Sequence, residues 1–273
     1  SGRLDGANNN LSEIVLRLKD ESTLTLTNTS VVKDEKGSMS TGLGNNVRSY
    51  RLESGNLVAK VDSFTKNEGD YDLRYWYSAV GNANIVNDGD NQLSFILNTD
   101  NADDGLKFSN KLALESGWLT VGESILENET APVSKLFYTG NTTGAGGLRL
   151  DIGNESTMYA SGSLAHGYTD VKSGSLDISN AVGANVNLGG LSSDGNGTIV
   201  AGSKNIVVNF NGNDIVFDGQ IKADKDGTTI NKEGTGSWTL NLTDNSNVKA
   251  VNVKTGTFSL GSNHFDGGLY QSN

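Results

Sequence analysis

The sequence predicts an all-β chain wound as a parallel β-helix with coils of about 20 residues. Three observations carry that prediction. Apolar and polar residues alternate over strand-length runs, as where Trp238, Leu240 and Leu242 are separated by Thr239 and Asn241. Side chains of a strand point to opposite faces in turn, so such a run has one buried face and one wet face. The phrase "GSWTL", ending at Leu240, nearly recurs as "GTFSL", ending at Leu260, one unit of about 20 residues later. Finally, the 273 residues include 35 glycines and a single proline, which suits short strands joined by tight turns.

The strands follow in order along the chain. Ile14, Leu16 and Leu18 open it, followed by Leu24 and Leu26, and then "ESGNLVAKV" with its glycine at Gly55. Leu93, Phe95 and Leu97 come next, then "ESGWLTV" at Gly117, and Leu148, Leu150 and Ile152. "KSGSLDI" at Gly174, Ile206 with Val208 and Phe210, and "KTGTFSL" at Gly256 complete the series. The intervals between these four glycines lie near three, three and four units of about 20 residues. A β-sandwich is the competing architecture, and Asp88-Gly89, Asp104-Gly105, Asn211-Gly212 and Asp218-Gly219 would suit its hairpins. It predicts no such period, so residues 1–273 are read as one β-helical unit. Residues 68–92 form an aromatic-rich irregular coil or protrusion within it.

Composition excludes several classes. The net charge of −11 and pI near 4.6 disfavour nucleic acid and anionic membrane surfaces as partners. Without cysteine the chain has no disulfide framework and no thiolate metal site. No apolar run approaches the roughly 18 residues of a membrane helix. Alternating apolar runs argue against disorder despite the acidity. The opening "SGRLDG" resembles no leader, and the expectation is a segment of a longer chain.

Residues 213–263 closely resemble the passenger-associated repeat of Gram-negative autotransporters, the type V secretion family. The matching elements are Phe217, Gly219 and Ile221, then Lys232, Gly234, Gly236, Trp238 and Leu240, then Val253, Gly256, Phe258 and Leu260. Trp238 and Phe258 stand where the family usually has leucine. The resemblance is strong from about Gly174 onward and weak over the first half. It implies a right-handed β-helical passenger, exported across the outer membrane to the cell surface or beyond by a C-terminal β-barrel of the parent chain. It further implies an adhesin, with the stalk of a protease or toxin as an alternative.

Catalytic constellations are sparse. Only His166 and His264 offer imidazole bases, and no G-x-S-x-G, H-E-x-x-H or phosphate-binding glycine loop accompanies them. Asp100, Asp103, Asp104 and His166 superficially resemble the carboxylate and histidine set of polysaccharide-degrading β-helices. The acidic motifs sit too close together for that chemistry, so an enzyme is the weaker alternative. Calcium loops are incomplete at 100–105 and 212–219, so neither a metal nor a cofactor is expected.

One segment departs from the pattern. Tyr71, Arg74, Tyr75, Trp76 and Tyr77 cluster within "YDLRYWY", beside Asp70 and Asp72. Either the rings fill a widened core or they form an exposed contact patch for protein or sugar. The functional expectation is therefore a non-enzymatic rigid scaffold. It would contact a host-cell surface protein or glycan, or the same protein on another bacterium.

Overall fold

The computed structural model describes residues 12–17, 23–28, 32–33, 39–40, 47–54, 56–61, 84–87, 92–97, 106–108, 112–121, 135–153, 155–244, 247–261 and 264–271. Every regular element among them is a strand. The strands stack in parallel as a β-solenoid, with about six turns roughly 22 residues apart over its more regular stretch from about Gly147 to Phe258.

Four parallel ladders run along the stack. One passes from Ser12–Arg17 through Val47–Ser54, Asn84–Asn87 and Leu112–Leu114 to Thr142–Thr143. A second begins at Thr23–Asn28 and continues through Asn56–Val61, Gln92–Leu97, Trp118–Val121 and Gly147–Asp151 to Tyr168 and Gly190. The third joins Leu106–Phe108, Lys135–Tyr138 and Thr157–Ala160, then passes through Leu176 and Ile199 to Ile221. The fourth starts at Asn185 and runs through Asn205–Asn209, Thr228–Glu233 and Val248–Val253 to Gly268–Gln271. Among the described residues the one antiparallel pairing is Val32–Lys33 with Met39–Ser40.

The coil spacing is less even than the sequence suggests. Leu57, Leu93 and Leu119 occupy successive coils, so the interval from Gly55 to Gly117 holds two coils and not three. Corners absorb extra residues without disturbing the ladders, because only the strands must keep register.

The core follows from the alternation. Leu119, Leu148 and Val121, Leu150 stack in adjacent coils, as do Leu136 and Met158, and all are fully buried. Trp238 lies in register with Phe258 and Leu240 with Leu260, so the phrase that nearly repeats in the sequence marks neighbouring coils. The ring centroids of Trp238 and Phe258 are 5.8 Å apart. Trp238 also donates its indole N–H to the carbonyl of Leu191 at 2.9 Å, 47 residues earlier.

The sequence around Lys232 and Gly256 has a physical reason. Lys232 points inward and is fully buried, where its ammonium donates to the carbonyls of Glu233 at 2.8 Å, Gly234 at 2.9 Å and Thr255 at 3.3 Å. Three donors meet three acceptors, so the buried charge is solvated by backbone dipoles from two coils. Gly256, at φ 79°, turns the chain there, and a Cβ on it would lie 2.8 Å from the Lys232 nitrogen. Only glycine takes that backbone shape without strain and leaves room for the ammonium.

Candidate functional site

The outer face of the second ladder gathers the chemistry. Trp118, Gly147, Tyr168 and Gly190 occupy one outward column in four successive coils. Each ring lies over the glycine of the next coil. A Cβ on Gly147 would come within 2.3 Å of the Trp118 ring, and one on Gly190 within 2.6 Å of Tyr168. Phe210 repeats the arrangement over Gly236, where a Cβ would approach to 2.2 Å. The rings thus form a spine along one edge, with centroids 6.2 Å apart between Trp118 and Tyr168 and 6.5 Å between Tyr168 and Phe210. Phe210 is buried, whereas Trp118 and Tyr168 are half-exposed.

Two residues further along the same strands stands a polar column. Arg149, Asp170 and Ser192 are in register across three coils. Arg149 donates from Nε to Asp170 Oδ2 at 2.9 Å, and Ser192 donates from its hydroxyl to Asp170 Oδ1 at 2.9 Å. The Arg149 guanidinium carbon also lies 4.6 Å from the centre of the Trp118 ring, a cation–π contact that ties the two columns together. With side-chain exposures of 23% and 14%, the ion pair is partly shielded from water and held in one geometry. A second outward pair, Phe137 and Tyr159, stacks at 5.0 Å on the third ladder. Paired rings beside a fixed guanidinium and carboxylate can stack on an apolar or sugar face and hydrogen-bond its polar groups.

His166 lies on the same coils but inside. It is 2% exposed, and both ring nitrogens are engaged. Thr169 donates its hydroxyl proton to the Leu188 carbonyl at 2.7 Å, so at His166 Nε2, 2.8 Å away, it acts as acceptor. The proton therefore sits on Nε2, and Nδ1 accepts from the Thr142 hydroxyl at 2.7 Å. The Ala165 N–H donates to that same hydroxyl oxygen at 3.1 Å. Burial holds the imidazole neutral by lowering its pKa from 6.5 to about 4. This is a core staple across three coils, with no nitrogen left to serve as a catalytic base.

Tyr71, Arg74, Tyr75, Trp76 and Tyr77, the contact residues expected from the sequence, lie outside the described residues. Asp100, Asp103 and Asp104 also lie outside them. His264 is exposed. No group of three potential metal ligands occurs among the described residues. The Trp118, Arg149, Tyr168 and Asp170 face was missed in the sequence. Its available signal was an aromatic directly after glycine, in "SGW" and "HGY", with a glycine in the same column one coil on.

Fold and face together define a parallel β-solenoid with an aromatic and charged outer edge. Compared with protein-family models, curated proteins and solved structures, the chain gives no match.

Proposed function

We propose that the chain is the β-helical passenger of an autotransporter, displayed at the bacterial surface as a rigid, non-enzymatic adhesin. It contacts a host-cell surface protein or glycan, or a copy of itself on another cell. One observation supports this most: Trp118, Arg149, Tyr168 and Asp170 stand on the outer face in fixed geometry, in register across the coils and joined by an ion pair and a cation–π contact. Stacked coils satisfy the backbone hydrogen bonds along the axis, so outer residues are free to specialise. The resemblance of residues 213–263 to the passenger-associated repeat supplies the secretion route.

The test is adhesion of cells or beads displaying the chain, with Arg149→Ala and Asp170→Ala alongside. Loss of adhesion at least tenfold, with the circular dichroism spectrum unchanged, is expected. Undiminished adhesion by both variants removes this face from the reading. Labelling of intact cells that express the whole gene tests surface display separately.

A further inference from the structure

The staple at His166 lies directly beneath the proposed contact face. The corner carrying it leads into Tyr168–Asp177, and its hydrogen-bonded chain links Thr142, Thr169 and Leu188 on successive coils. Thr142 is 1% exposed and Thr169 is fully buried, so the chain is closed to water.

Its proton count is complete. Each hydroxyl proton has one acceptor, and each imidazole nitrogen has one partner. A proton added to Nδ1 would face the Thr142 hydroxyl proton across 2.7 Å. Thr142 would then have to turn its hydroxyl proton away, and with the Ala165 N–H and the new N–H filling both lone pairs of its oxygen that proton would have lost its acceptor. The new charge would also lack a counter-ion. Thr142–Thr143 brings no ionisable group, and on Asn185–Gly202 Leu188 offers its carbonyl while the strand's one carboxylate, Asp194, is exposed. Arg149, Asp151, Asp170 and Lys172, on the flanking strands, occupy outward positions. Arg149 is paired with Asp170, and Asp151 accepts from Ser173. An unpaired buried cation is relieved only by opening the site to water.

We propose that His166 makes these coils an acid-opened joint: closed while the ring is neutral, and locally unwound on uptake of one proton, which dismantles the Arg149–Asp170 face above it. The regulatory half of this proposal rests on reading that face as the contact surface. The opening itself does not. A solenoid permits such local loss, because each coil depends chiefly on its neighbours. The coils from Ile206 to Val253 hold no histidine, so they stay wound.

Native-state hydrogen exchange of the whole chain at pH 7.5 and 4.5, corrected for intrinsic rates, tests the joint. A ring that binds a proton at 6.5 when open and at about 4 when closed opens roughly 70-fold more readily at pH 4.5 than at 7.5. That loss of protection is expected between residues 136 and 191 and not between 206 and 253. Protection that is unchanged, or lost evenly along the rod, overturns the proposal. His166→Gln should abolish the local response and His264→Gln should keep it; a response surviving His166→Gln also overturns it. Should His166→Gln not fold, the wild-type imidazole titration decides, since a ring titrating near 6.5 without loss of protection is equally fatal. Failure of the contact-face reading is seen separately, as full adhesion by both Arg149→Ala and Asp170→Ala at neutral pH.

Discussion

Replacement of Trp238 tests the winding of the chain most directly. Its ring is fully buried, packs on Phe258 in the next coil, and donates to Leu191 on a strand 47 residues earlier. In the ladder Trp238 is in register with Ile215, so the indole bridges past its immediate neighbour. Trp238→Phe keeps a ring against Phe258 but removes the N–H. The loss of one buried hydrogen bond then costs about 1–2 kcal/mol. Trp238→Ala removes the ring as well and leaves a cavity between coils, for a total of about 3–5 kcal/mol. Both are read from urea unfolding followed by far-UV circular dichroism. Because coupling in a solenoid is otherwise nearest-neighbour, the Ala variant should also broaden the transition, with C-terminal coils unfolding first. A cost below about 1 kcal/mol for Trp238→Ala, or equal costs for the two variants, would refute this account of the ring.

Other outcomes follow from the packing. Gly190→Ala would place a methyl group 2.5 Å from Ile215 Cδ1 and 2.6 Å from the Tyr168 ring, displacing both. Its cost should be about 1–3 kcal/mol in the same assay, and a neutral result would mean that the ring does not rest on the glycine. Lys232→Met takes the ammonium donor away from three carbonyls, of which Gly234's keeps the Thr255 hydroxyl at 3.2 Å, and should destabilise by about 2–4 kcal/mol. Burial lowers the Lys232 pKa from 10.5, so above the lowered value the folded state gives up its proton before the unfolded chain does. Wild-type stability should therefore rise, relative to Lys232→Met, as pH climbs through that window to about 10.5, and parallel pH profiles would contradict it.

Much of the architecture was legible because alternation is a local property. Trp238, Leu240 and Leu242 on one face needed no tertiary information, and the near-repeat at Phe258 and Leu260 announced the next coil. The glycines of the repeated phrase were legible for a related reason. Gly117, Gly174 and Gly256 all adopt positive φ, where a side chain would be strained. Coil length was not legible, because corners vary while strands do not, and every contact across coils depends on it. Arg149 and Asp170 meet only because 21 residues happen to complete one turn there. Polar residues in the core were hidden too: Thr142, Thr169 and Lys232 occupy inward positions that the apolar pattern reserves for hydrophobes. Each has a partner on another coil, His166 for Thr142, Leu188 for Thr169 and Thr255 for Lys232, so a single strand could not reveal them.

The seating of each outer ring on a bare backbone position has a bearing on how such a molecule can lengthen. Trp118, Gly147, Tyr168 and Gly190 form a column with a repeat of two windings, not one. Duplicating or deleting a single winding would set bulk against bulk at one junction and leave an empty notch at another. Genetic change should therefore be tolerated here in even steps, giving the rod a parity rule written in its edge.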